Sequence, residues 1–180
     1  MAFIYDVSNI TFIYFILPLY ILGLCLISLI IYLTTRHQAH STIRYIGFLA
    51  SGSLIIAIVI YISITMLVWQ FEYFIFIFLI IRYFPIFLIG IVFFFQGIYY
   101  FKCEKKNKSP TKEDTNFYGI MWIIISIINH FSSVFFIEAN TYPGSSTISL
   151  GLFIFPLLYI DNYVIVLIIL GIYMIANKGT

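Results

Sequence analysis

Two ionisable side chains, Arg82 and Asp161, stand inside stretches that are otherwise apolar, and Ser126, Asn129, His130 and Ser133 follow one another at i, i+3, i+4 and i+7. That spacing places four polar side chains on one face of a helix. Ionisable groups within membrane helices are rare, face the bundle interior and are usually paired. Counted at ~1.5 Å per residue from the outer ends of their spans, Arg82 lies at ~14 Å, Asn129 and His130 at ~11 to 13 Å and Asp161 at ~17 Å. All therefore fall in one thin layer, and an ion pair between Arg82 and Asp161 across two helices is the expected arrangement. Such a pair could simply fix helix packing. Alternatively, with the Ser126/Asn129/His130/Ser133 stripe it could line a polar cavity or proton path in which His130 titrates near neutral pH. The packing role is preferred, because one pair and one stripe are fewer polar groups than an aqueous pathway needs.

Other chemistry is poorly served. A haem held by two histidines needs both at matching depth, yet only His130 is within a span, while His37 and His40 share a loop. Those two could supply two metal ligands, but no neighbouring Cys, Asp or Glu completes a site. Phosphate-loop, dinucleotide, hydrolase and zincin patterns are absent. A serine beside His130 is the single nucleophile and base pairing on offer. No cofactor and no metal are expected. Cys25 and Cys103 lie at different depths, which makes a disulfide a poor expectation. Cys103, among lysines at a membrane edge, has a reversible acylation site as its sharper reading. Asn9-Ile10-Thr11 matches a glycosylation pattern but abuts the first apolar run.

The elements that must position these groups are legible from hydropathy. The chain has 180 residues, 63% hydrophobic and 9% charged, with a mean hydropathy of +1.09; soluble domains carry about 25% charged residues. An all-α, polytopic integral membrane helix bundle is expected, with five transmembrane helices at about 10–33, 45–69, 73–101, 117–137 and 150–176. The start of the chain lacks the positive region of a signal peptide, so the first run reads as a retained span. The central run, 73–101, would form a helix of about 43 Å against a hydrocarbon core of about 30 Å, so it must tilt, bend or protrude, with Pro85 a natural bend. The short link at 70–72 makes the second and third helices antiparallel neighbours. In the second span Gly47, Ala50 and Ser51 form a small-residue patch suited to close helix approach. The last run is interrupted by Asp161 and Asn162. One long helix holding an internal Asp is favoured over a re-entrant hairpin, since its halves are too short to span.

Polar connectors at 34–44 and 102–116 carry Arg36, Arg44 and the lysines 102, 105, 106, 108 and 112, and Lys178 lies at the C-terminal end. With five spans these cations share one side, which the positive-inside rule makes cytoplasmic or its organellar (matrix) equivalent, and the N-terminus lies outside. Tyr and Trp residues gather near both sets of boundaries, as membrane interfaces favour. The net charge of +2 is small and local, which speaks against nucleic acid. The lysines of the second connector would suit anionic lipid or a docking partner, but Glu104, Glu113 and Asp114 stand among them. The partners expected are the lipid bilayer and other membrane subunits or a homo-oligomer. The resulting expectation is a non-catalytic integral membrane subunit or assembly partner of a larger complex. A small transporter or proton-conducting component built on Arg82, Asp161 and His130 is the alternative, and a lipid-handling membrane enzyme the third.

Overall fold

Hydrocarbon offers no hydrogen bonds, so a spanning backbone must satisfy its own N–H and C=O groups, and the helix is the local way to do so even for chains rich in Ile and Phe. A computed structural model of the chain describes residues 17–38, 41–68, 73–141 and 162–176, with side chains described at 17–38, 41–64, 83–135 and 162–176. Five helices result: α1 Leu17–Thr35, α2 Thr42–Val68, α3 Tyr73–Lys105, α4 Lys112–Thr141 and α5 Asn162–Ala176. No strand occurs among the described residues. Four segments are long and apolar enough to cross a bilayer, Leu17–Thr35, Thr42–Ile64, Tyr83–Lys105 and Lys112–Phe135, and Asn162–Ala176 is a shorter apolar helix. α3 continues through Pro85.

The polar connectors are tighter than their composition suggests. Residues 102–105 belong to α3 and 112–116 to α4, so only a short turn remains where a loop over 102–116 was expected. The reason is helix-end chemistry that hydropathy does not register. α3 closes in a Schellman motif: Asn107 takes a left-handed φ of 50°, its amide donates to the Glu104 carbonyl at 3.1 Å, and the Lys108 amide donates to the Cys103 carbonyl at 3.0 Å. α4 opens on Thr111, whose hydroxyl accepts the Asp114 amide at 3.2 Å. α2 opens in the same way on Ser41, which accepts the Arg44 amide at 3.3 Å. Arg44, expected in the first connector, is thus in the first turn of α2 and is buried.

Both N-cap residues send their own amide to α3. Ser41 N donates to Glu104 Oε2 at 2.9 Å, and Thr111 N donates to the Tyr99 hydroxyl at 3.0 Å. In a capping box that acceptor would come from the same helix. Here it comes from the neighbour, which ties both connectors to one end of the bundle. α1 packs on α2, α2 on α3, α3 on α4, α4 on α5, and α5 closes against α1, so the helices form a ring in chain order. The α2 and α3 pairing is the most extensive.

Aromatic side chains fill the middle of the ring. Phe93 packs on Trp122 at 4.3 Å between ring centroids, and Phe48 touches both Phe93 at 5.5 Å and Tyr100 at 5.4 Å, all in tilted or edge-on arrangements that suit ring quadrupoles. Leu19, Ile30, Ile43, Phe84, Phe95 and Phe131 point outward, as a lipid-facing perimeter requires. The ring closes at this radius because helices meet at glycines. A Cβ on Gly171 would lie 2.6 Å from the Gly119 carbonyl oxygen, one on Gly119 2.8 Å from that of Gly171, and one on Gly52 2.5 Å from the Phe94 amide nitrogen. Backbone atoms cannot move aside as a side chain end can. Gly47, from the small-residue patch, meets the Ile31 side chain instead, and Gly23 faces open space.

Gly171→Ala and Gly52→Ala should therefore each destabilise the bundle by about 1 to 3 kcal/mol, the usual range for overpacking, while Gly23→Ala leaves it unchanged. Unfolding midpoints of the purified chain in mild detergent check this. Equal midpoints for all three variants would show that the helix crossings are looser than described.

Candidate functional site

Several polar side chains of the interior bond from one helix to another. Gln96, fully buried on α3, is the centre of the largest set. Its Oε1 accepts from Trp122 Nε1 on α4 at 2.9 Å, and its Nε2 donates to the Tyr100 hydroxyl at 3.1 Å and to Met174 Sδ on α5 at 3.4 Å. One carboxamide thus links three helices. On the other side of the ring the Ser28 hydroxyl donates to Ser51 Oγ at 2.9 Å, joining α1 to α2 through the small-residue patch.

The stripe on α4 is divided between two roles. Ser126, Asn129 and Ser133 are buried, whereas His130 is only half-buried. Asn129 Nδ2 donates to the Tyr163 hydroxyl at 2.9 Å, tying α4 to α5. The Ser126 hydroxyl donates to the Trp122 carbonyl at 2.6 Å and that of Ser133 to the Asn129 carbonyl at 3.1 Å. Each serine proton is thereby committed to its own helix backbone, not presented to His130 as a nucleophile's would be. Asn129 Oδ1 has no hydrogen-bond partner although Asn129 has 0% exposure. A buried acceptor left unsatisfied costs about 1 to 3 kcal/mol, so a water or a donor group would be welcome there.

Arg82 lies within α3, but its side chain is outside the described residues, and so is Asp161; the expected ion pair and the choice between a long last helix and a hairpin therefore fall there too. His40 is likewise outside, while His37 Nε2 accepts a hydrogen bond from Arg36 Nε at 3.0 Å. Among the described residues no three His, Cys, Asp or Glu side chains come together as metal ligands would.

Sequence reasoning missed Gln96, Trp122, Tyr163 and Arg44. Gln96 is the single carboxamide in the run 73–101, a signal that carries no charge. Arg44 anchors the polar end: its Nε donates to Thr35 Oγ1 at 3.0 Å, its Nη2 to the carbonyls of Thr35 and, at 2.9 Å, Gln38, and its guanidinium lies 5.2 Å from the centre of the Tyr100 ring. It therefore caps the C-terminus of α1, where the macrodipole favours a cation, and stacks on α3.

An open apolar groove of about 290 Å³ runs between α2 and α3, lined by Val59, Ile60, Ser63, Ile64, Tyr83, Phe84 and Phe87. Ser63 turns its hydroxyl back to the Val59 carbonyl at 2.8 Å, which leaves the groove without a polar contact from that residue. No protein-family model, curated protein or solved structure matches the chain.

Proposed function

We propose that the chain is a non-catalytic integral membrane subunit, or assembly partner, of a larger membrane complex, crossing the bilayer five times with its N-terminus outside. The observation that carries this reading is the centre of the helix ring, where the Phe93 and Trp122 rings meet at 4.3 Å and Gln96 is bonded to α4 and α5 at once. The polar atoms of Gln96 and Trp122 are bonded to each other, which suits a scaffold better than a conduit. The apolar perimeter then provides the surface for lipid and for neighbouring subunits. A second reading, a small transporter or proton-conducting component using Arg82, Asp161 and His130, is favoured by the unsatisfied Asn129 Oδ1 next in the chain to His130. The fifth span rests on α5 continuing beyond its described start, since 15 residues make only about 22 Å of helix.

Isolation of the native assembly in mild detergent distinguishes the two readings. The subunit reading expects other membrane proteins in fixed stoichiometry with the chain and no ion flux from the purified chain in liposomes. A lone oligomer that conducts protons would reverse the order. The orientation is checked by placing single cysteines at 108 and 178 in a chain whose Cys25 and Cys103 are replaced. An impermeant thiol reagent should reach neither position in intact cells and both after permeabilisation, whereas labelling of 178 alone in intact cells contradicts five spans.

A further inference from the structure

The turn between α3 and α4 brings Lys102, Lys105, Lys106, Lys108 and Lys112 together, and all five are exposed. In sequence their charge is offset by Glu104, Glu113 and Asp114. In the fold, two of those three carboxylates are turned to other uses. Glu104 Oε2 takes the Ser41 amide at 2.9 Å, and its Oε1 is 3.5 Å from the Thr42 hydroxyl, so it serves the N-terminus of α2. Asp114 Oδ2 accepts from the Tyr99 hydroxyl at 2.9 Å and from the Thr111 hydroxyl, so it serves the N-terminus of α4. Glu113 alone stays exposed. The turn itself is fixed, with the Schellman closure at Asn107 on one side and the Thr111 cap on the other.

Its position relative to the bilayer follows from the helices it joins. One membrane-length segment ends at Lys105 and the next begins at Lys112, and tyrosines gather just inside: Tyr99 lies 5.7 Å from Tyr118 between ring centroids, and Tyr45 lies 5.3 Å from Phe101. Amphipathic rings of this kind sit at headgroup depth. Lysine stems at that depth extend along apolar surface while the ammonium reaches the phosphate layer.

We propose that the α3–α4 turn is a preformed cationic surface that binds the phosphate headgroups of anionic phospholipids in the adjacent leaflet. The Glu104 and Asp114 caps are part of the device, because they fix the two helix ends that carry the lysines. Juxtamembrane lysines attract anionic lipid additively, and the attraction falls within a Debye length, about 10 Å at 0.1 M salt.

The test uses the full chain in a neutral detergent, with native mass spectrometry reading bound lipid and the unfolding midpoint reading stabilisation. The probes are phosphatidylglycerol, phosphatidylcholine and inorganic phosphate. Phosphatidylglycerol should be retained and raise the midpoint, phosphatidylcholine should do neither, and the combined K102Q, K105Q, K106Q, K108Q and K112Q variant should bind phosphatidylglycerol at least about tenfold more weakly. The same five positions changed to Arg should keep binding. Because the lysines are exposed, circular dichroism of the glutamine variant should match the parent. Should that variant fail to fold, the parent still decides, since its phosphatidylglycerol binding must fall as salt rises from about 50 to 500 mM. Equal retention of both lipids, undiminished binding by a folded glutamine variant, or salt-independent binding would each overturn the proposal. So would inorganic phosphate that matches the lipid's effect at equal concentration, which would assign the site to free phosphate.

Discussion

In hydrocarbon a polar group that lacks a partner inside the protein has none at all, and this constraint accounts for most of what the chain does with its few polar side chains. Gln96 is the clearest case. Placed in a long apolar helix, its carboxamide has to bond across to other helices, and it does so to Trp122 on one neighbour and Met174 on another. Ser28 with Ser51 and Asn129 with Tyr163 repeat the solution on other sides of the ring. Van der Waals packing supplies the remaining adhesion, and the glycine contacts between α4 and α5 and between α2 and α3 let backbones approach closely enough for it to count.

α3 is the organising helix. It supplies Gln96 to the interior, Glu104 to the start of α2 and Tyr99 to the start of α4. Arg44 answers from α2 by capping α1 and stacking on Tyr100 of α3. The polar end is therefore a cross-linked set of helix caps, where short connectors are possible because each helix end is satisfied by its neighbour.

Much of this architecture is legible in the sequence, for an identifiable reason. Apolar runs of membrane length read directly as helices, and the i, i+3, i+4, i+7 spacing of Ser126, Asn129, His130 and Ser133 places them on one face whatever the fold. The small patch at Gly47 and Ser51 likewise predicts close contact, and it meets Ile31 and Ser28. Connector bounds were not legible, because Thr111, Ser41 and Asn107 set the helix ends through hydrogen bonds that carry no hydropathy signal. Nor was the role of Glu104 and Asp114, which composition reads as counter-ions and geometry turns into caps. Gln96 was visible as a lone carboxamide, but nothing in the sequence names Trp122 and Met174 as its partners, since long-range pairing depends on how the ring closes.

That buried polar side chains hold the ring together is tested most directly at the bond between Gln96 and Trp122. A double-mutant cycle with Gln96→Leu, Trp122→Phe and the two combined, read as unfolding free energy in mixed micelles by circular dichroism, measures their coupling. Each single change should destabilise by about 1 to 3 kcal/mol, because the partner is left buried and unsatisfied. The double variant should lose less than the sum of the singles, with a coupling of about 1 kcal/mol. Strictly additive losses, with no coupling between the two positions, would contradict the claim.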